Sequence, residues 1–226
     1  MSHFLDGAFE RVKRTEKHLV DLNVEIRAFE EAQGEFRADK LNEEQIEVEH
    51  AKRGEVPLPM PGQVSILIGE IAYNLRAALD YLVYALAVLD SGVEQSGTQF
   101  PIEDTPDGFE ARKKVGFLRG LNAAHIAGIE RLQPYKGCDW TRLLRSLSNQ
   151  DKHRHLTLLI RPKQMCFILS QTIAKTGPDT FETYVDVQDR WAVTKVLLED
   201  GSPIVETLQT LKSQVADTLE AFKPDF

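Results

Sequence analysis

The chain has 226 residues, enough to bury a substantial core as one large domain or two small ones, and its 42% hydrophobic and 27% charged residues are an ordinary globular composition. A formal net charge of −8 argues against broad, sequence-independent binding to nucleic acid, although a local basic groove on an acidic body is compatible with it. No apolar run approaches the roughly 20 residues of a membrane span, and the N-terminus lacks the apolar core of an export signal. A cytoplasmic location without a membrane partner is therefore expected. Cys138 and Cys166 are the only cysteines and have no CxxC spacing, which points to neither a disulfide nor a structural zinc site.

In residues 1–33, Leu5, Val12, Leu19 and Ile26 recur at seven-residue intervals, as do Ala8, Thr15, Leu22 and Phe29. That predicts one long helix with an apolar stripe, packed on its own domain in preference to an intermolecular coiled coil. After Gly34 the period changes. "EFRADK" and "QIEVEH" both alternate around "LNEE", so a β-hairpin is expected over 35–52. The proline-rich "RGEVPLPMPG" punctuates the chain.

A helical core is expected over 62–155. Its strongest element carries Val64, Ile68, Ile71, Leu75, Leu79, Leu82, Leu86 and Leu89 on one stripe, and Tyr73, Tyr84 and Ala87 on a far side that is hardly more polar. Such a helix is central to a fold or contributes to an oligomer interface, here a homodimer. Modest helices follow over Phe109 to Val115 and Leu121 to Leu132, and "CDWTRLLRSLSNQDKH" is a further helix capped by Asp139. "TQFPI" and "RLQPY" read as rigid turns whose aromatics, Phe100 and Tyr135, tuck into the core. Residues 156–198 have β texture in four short runs, and an amphipathic helix over 203–222 carries Ile204, Leu208, Leu211, Val215 and Leu219. The expected fold is α+β: a helical bundle around one long apolar helix, with a small antiparallel β-sheet and a C-terminal helix, as a single domain over 1–226.

Chemistry concentrates in "LSNQDKHRHLTLL". At 100° per residue, Trp140, Leu143, Leu144 and Leu147 group on one side of a helix, while Arg142, Arg145, Asn149 and His153 group opposite, with Lys152 beside them. Basic residues in a last turn also complement unpaired carbonyls, by roughly 0.3–1 kcal/mol each, without any chemistry. The functional alternative is phosphate chemistry, in which Arg145 holds charge on a phosphate, His153 acts as acid or base and Asn149 orients it. If the chain is already extended here, Asp151, His153 and His155 project to one side and could hold a divalent ion for assisted hydrolysis. In the apolar helix, Arg76 and Asp80 lie four apart and can pair, and Asn74 sits at the edge of the stripe. These three read as a structural or interface set, or as substrate contacts beside the cluster helix.

Taken in order, "NLRAALDYLVYALA", "TQFPI", "LQPY" and "NQDKHR" resemble a widespread family of uncharacterised bacterial proteins, over roughly Ile66 to Arg154. A second resemblance is to HEPN domains, helical bundles that include metal-independent ribonucleases of toxin–antitoxin and phage-defence systems. Their motif is an Arg, then Asn, Asp or His, then a His on the same helix. Asn149 and His153 match that pattern, whereas Ser148 stands at the Arg position, so Arg145, Arg76 or Arg154 would have to supply the cation. The resemblance implies a defence or toxin protein, cofactor-free, cleaving RNA at a local basic groove with His153, Asn149 and Arg145. Arg142, Lys152, Arg154, Asn74, Arg76 and Asp80 would be substrate contacts, and an antitoxin or other protein a partner. A non-catalytic ligand- or partner-binding module on the same face is the alternative.

Overall fold

The computed structural model describes residues 3–32, 35–37, 61–153, 158–175 and 181–226, with the backbone path alone for 3–4, 35–37, 150–153, 158–175 and 181–194. The elements are α1 (His3–Ala32), β1 (Glu35–Arg37), α2 (Gly62–Ser91), α3 (Pro106–Lys114), α4 (Ala123–Arg131), α5 (Asp139–His153), β2 (Leu158–Lys175), β3 (Phe181–Leu198) and α6 (Ile204–Phe222). Short 3-10 turns lie at Pro134–Lys136 and Lys223–Asp225. A single domain is the expectation from sequence. The residues gather into two compact units: Met1–Val24 with Gly62–Leu156 and Val205–Phe226, and Glu25–Pro61 with Thr157–Ile204.

The first unit is the expected helical bundle. Fifteen of the thirty residues of α2 are buried, including every member of the predicted stripe except Leu89, which is 41% exposed. By length and composition α2 could cross a membrane, but 61% of its most apolar window is buried within the protein, as in any core helix. All eight heptad positions of α1 are buried, as an intramolecular stripe requires. Along α1 and α2, Gly7 meets Tyr81, Arg11 meets Asn74 and His18 meets Glu70, so the two helices run antiparallel. The approach at Gly7 is close: a Cβ there would lie 3.0 Å from Tyr81 Cε1. On α6, Ile204, Leu208, Leu211, Val215 and Leu219 are all buried, as their spacing predicts.

Short helices between these long ones start where side chains cap them. Thr105 precedes α3 and its hydroxyl accepts from Gly108 N at 3.1 Å, with Pro106 opening the helix and Arg112, Lys113 and Lys114 closing it. Asn122 caps α4, its side chain accepting from His125 N at 2.9 Å.

In the second unit, β2 and β3 pair antiparallel from Leu158↔Leu198 to Lys175↔Phe181, and β1 pairs with the other side of β3. Four short strands are expected between 156 and 198, but the backbone forms two of eighteen residues each. Pro162 does not interrupt β2, because β2 is an edge of the described strands, where a missing N–H is tolerated. Irregular register near Phe167 and Ile168 absorbs another of the expected breaks. Of the expected 35–52 hairpin, residues beyond Arg37 lie outside the described residues.

Candidate functional site

The segment Phe100–Glu103 has no regular secondary structure, so its peptide groups need partners from elsewhere. Side chains from three places supply them. From α2, Asp80 Oδ1 accepts from Phe100 N at 2.8 Å, and Arg76 Nη2 donates to the Phe100 carbonyl. Arg76 and Asp80 also pair with each other at 3.5 Å. After α4, the fully buried Gln133 donates from Nε2 to the Pro101 carbonyl at 2.8 Å and accepts from Glu103 N at 3.0 Å. From α5, Arg145 Nη1 donates to the Ile102 carbonyl at 2.9 Å. Phe100 is thereby held in the core with no exposed surface, as expected of "TQFPI". Tyr135 is half-buried; its hydroxyl donates to Glu130 at 3.0 Å, and burial, then that carboxylate, raises its pKa.

Beside this clamped segment opens a cavity of about 530 Å³. Arg76 and Asp80 reach it from α2, Glu103 from the segment, Arg112 from α3, and Arg145, Ser148 and Asn149 from α5. Three guanidinium groups face two carboxylates, so the lining is net positive on a chain that is net negative. Burial lowers the Arg76 pKa from the usual guanidinium value; Asp80 and Glu103 oppose that shift, while the like charges of Arg112 and Arg145 add to it. Cations that repel one another across a partly enclosed space favour an anion between them.

Each guanidinium has five N–H donors. Among the described residues, Arg145 uses two groups, Nη1 on Ile102 and Nη2 on Asp104 at 2.6 Å. Arg112 uses Nε on Glu103 at 2.6 Å and lies 5.0 Å from the centre of the Phe117 ring. The remaining donors of both can engage a ligand. Arg112 is 47% exposed, against 29% for Arg145 and 19% for Arg76.

Of the residues nominated by sequence, Arg76, Asp80, Arg145 and Asn149 come together at this cavity. Ser148 lines it too. Arg145 and Arg76 share that lining with it. Asn74 and Arg142 are placed elsewhere. Asn74 donates to the Glu70 carbonyl at 2.8 Å and accepts from Arg11 at 3.2 Å, at the meeting of α1 and α2. Arg142 pairs with Asp104 at 2.8 Å and Asp139 at 2.7 Å, and the Asp104 bond raises its pKa. His153 ends α5, one turn beyond Asn149. The side chains of Asp151, Lys152 and His153, and all of Arg154 and His155, lie outside the described residues. Among the described residues no three metal-ligating side chains cluster.

Arg112, Glu103 and Gln133 were not nominated by sequence. Gln133 lies in the predicted turn "RLQPY" and Arg112 in a modest helix; their partners are distant in sequence, which local pattern does not reveal. No family model matches the chain, and neither a curated protein nor a solved structure does.

Proposed function

We propose that the arginine-lined cavity binds a phosphate-bearing ligand, in a HEPN-like bacterial protein of defence or toxin type. The observation that carries this is the convergence of Arg76, Arg112 and Arg145 on one cavity, with guanidinium N–H groups left over after the bonds that hold the fold. Guanidinium groups suit phosphate oxygens because parallel N–H donors match them in pairs. Calorimetric titration with pyrophosphate, beside an uncharged polyol of similar size, tests it. Wild type should bind pyrophosphate, and Arg112→Gln should weaken binding at least ten-fold. Absence of binding by wild type, or equal binding by the variant, removes the proposal.

A second reading is favoured by the placement of Asn149 at the cavity and His153 one turn later on the same helix. In it the ligand is RNA and His153 exchanges the proton of a metal-independent cleavage. Incubating mixed RNA with wild type and His153→Ala in the absence of divalent ions distinguishes the two. Equal RNA survival with both proteins leaves ligand binding alone. A homodimer, an antitoxin partner and a cytoplasmic location belong to this second reading, and the mass of the protein in solution tests the first of them.

A further inference from the structure

The arginine-lined cavity is larger than a phosphate needs. Its volume of about 530 Å³ lies within the roughly 300–1,000 Å³ of pockets that enclose a whole small molecule, so space remains for the body that carries the phosphate. Aromatic side chains line that space. Tyr73 and Tyr81 reach it from α2, and Phe117 from the turn after α3. The two tyrosines are large side chains left in the open, 52% and 41% exposed. They are nevertheless held in place. The Arg11 guanidinium lies 5.8 Å from the centre of the Tyr73 ring and 5.7 Å from that of Tyr81, and it is tied in turn to Asn74 Oδ1 at 3.2 Å. Tyr81 also rests against Gly7, where a Cβ would come within 3.0 Å of Cε1. Exposed aromatic surface already fixed in position loses little freedom when a ligand covers it. Gln99 and Asn149 add carboxamides to the lining, which both donate and accept.

We propose that the cavity takes the phosphate ester of a flat aromatic ring system, with the ester on Arg112 and Arg145 and the ring stacked against the tyrosines. This rests on the reading of the cavity as a phosphate site and adds the class of body attached to the phosphate. Stacking is open to any ring with a π face, whereas an aliphatic body of equal charge gains far less from the tyrosines.

Calorimetry on the full chain tests it, with phenyl phosphate and adenosine monophosphate as aromatic esters, glycerol phosphate as the aliphatic one, and pyrophosphate as the bare anion. Both aromatic esters should bind about ten-fold or more tightly than glycerol phosphate. In Tyr73→Leu and in Tyr81→Leu that ratio should fall to about three or less, a change that a general loss of stability does not produce. Tighter binding of adenosine monophosphate than of phenyl phosphate assigns the ring to a nucleotide base with Gln99 and Asn149 at its edge; equal or weaker binding assigns a plain aryl group. Pyrophosphate binding without preference among the esters overturns the aromatic body and leaves the phosphate site standing. A preference unchanged in both variants overturns it too, because the ring is then held elsewhere. Absence of binding by every one of these anions removes both.

Discussion

The helical unit holds two cavities of similar size, about 530 and 590 Å³, with opposite chemistry. The first is rich in donors, and three of its side chains, Arg76, Asp80 and Arg145, also hold the backbone of Phe100–Glu103. The second is lined by Asp217 and Asp225 against the single guanidinium of Arg131, with aromatic walls from Trp140 and Phe222. The difference separates two kinds of polar group. Where a side chain both closes a peptide group and lines a cavity, its loss disturbs fold and binding together. Where it only lines the cavity, binding alone should change.

Gln133→Leu should give the largest effect. It strips the buried partners of the Pro101 carbonyl and of Glu103 N, at about 1–3 kcal/mol for each group left unsatisfied, so a loss of about 3 kcal/mol is expected in urea denaturation. A loss below about 1 kcal/mol would mean that the segment is held by other means. Arg76→Met should cost about 2 kcal/mol and also abolish pyrophosphate binding, since the Phe100 carbonyl loses its donor and Asp80 its paired cation as the cavity loses a charge. Arg112→Gln is the contrast: binding falls while stability changes by less than about 0.5 kcal/mol, because Arg112 bonds only at an exposed rim.

In the second cavity, Gly128→Ala places a Cβ 2.9 Å from Phe222 Cζ. That is the far end of a side chain, so the ring can shift, at a cost of about 1 kcal/mol readable in urea denaturation. The smallest effect concerns pH. Hydrogen bonds from Arg142 and Arg145 hold the Asp104 carboxyl below its usual pKa. Its stabilisation is therefore complete above the unfolded value, near 3.9, and is lost as pH falls through the lower folded value. Asp104→Asn should be less stable than wild type near neutrality, and the two should converge in acid; parallel curves down to the lowest pH would refute the assignment.

The helices were legible because their cause is local: a stripe such as Val64 to Leu86, or Ile204 to Leu219, states its period in the sequence. The two long strands were less so, because Pro162 reads as a break until an edge position excuses it. Of the donor-rich cavity, Arg145, Asn149, Arg76 and Asp80 could be picked out by charge and spacing. Gln133 could not, since its partners Pro101 and Glu103 are 32 and 30 residues away and are backbone groups common to any sequence. Arg112 and the Asp90–His125 pair depend in the same way on tertiary approach, with 35 residues separating the latter two.

Tungstate, a phosphate-like anion visible by anomalous scattering, gives the most direct test of the donor-rich cavity in crystals of the full chain. Density within hydrogen-bond distance of Arg112 and Arg145, beside Arg76, is the expected result. An occupied tungstate elsewhere with that cavity holding water alone would contradict the assignment.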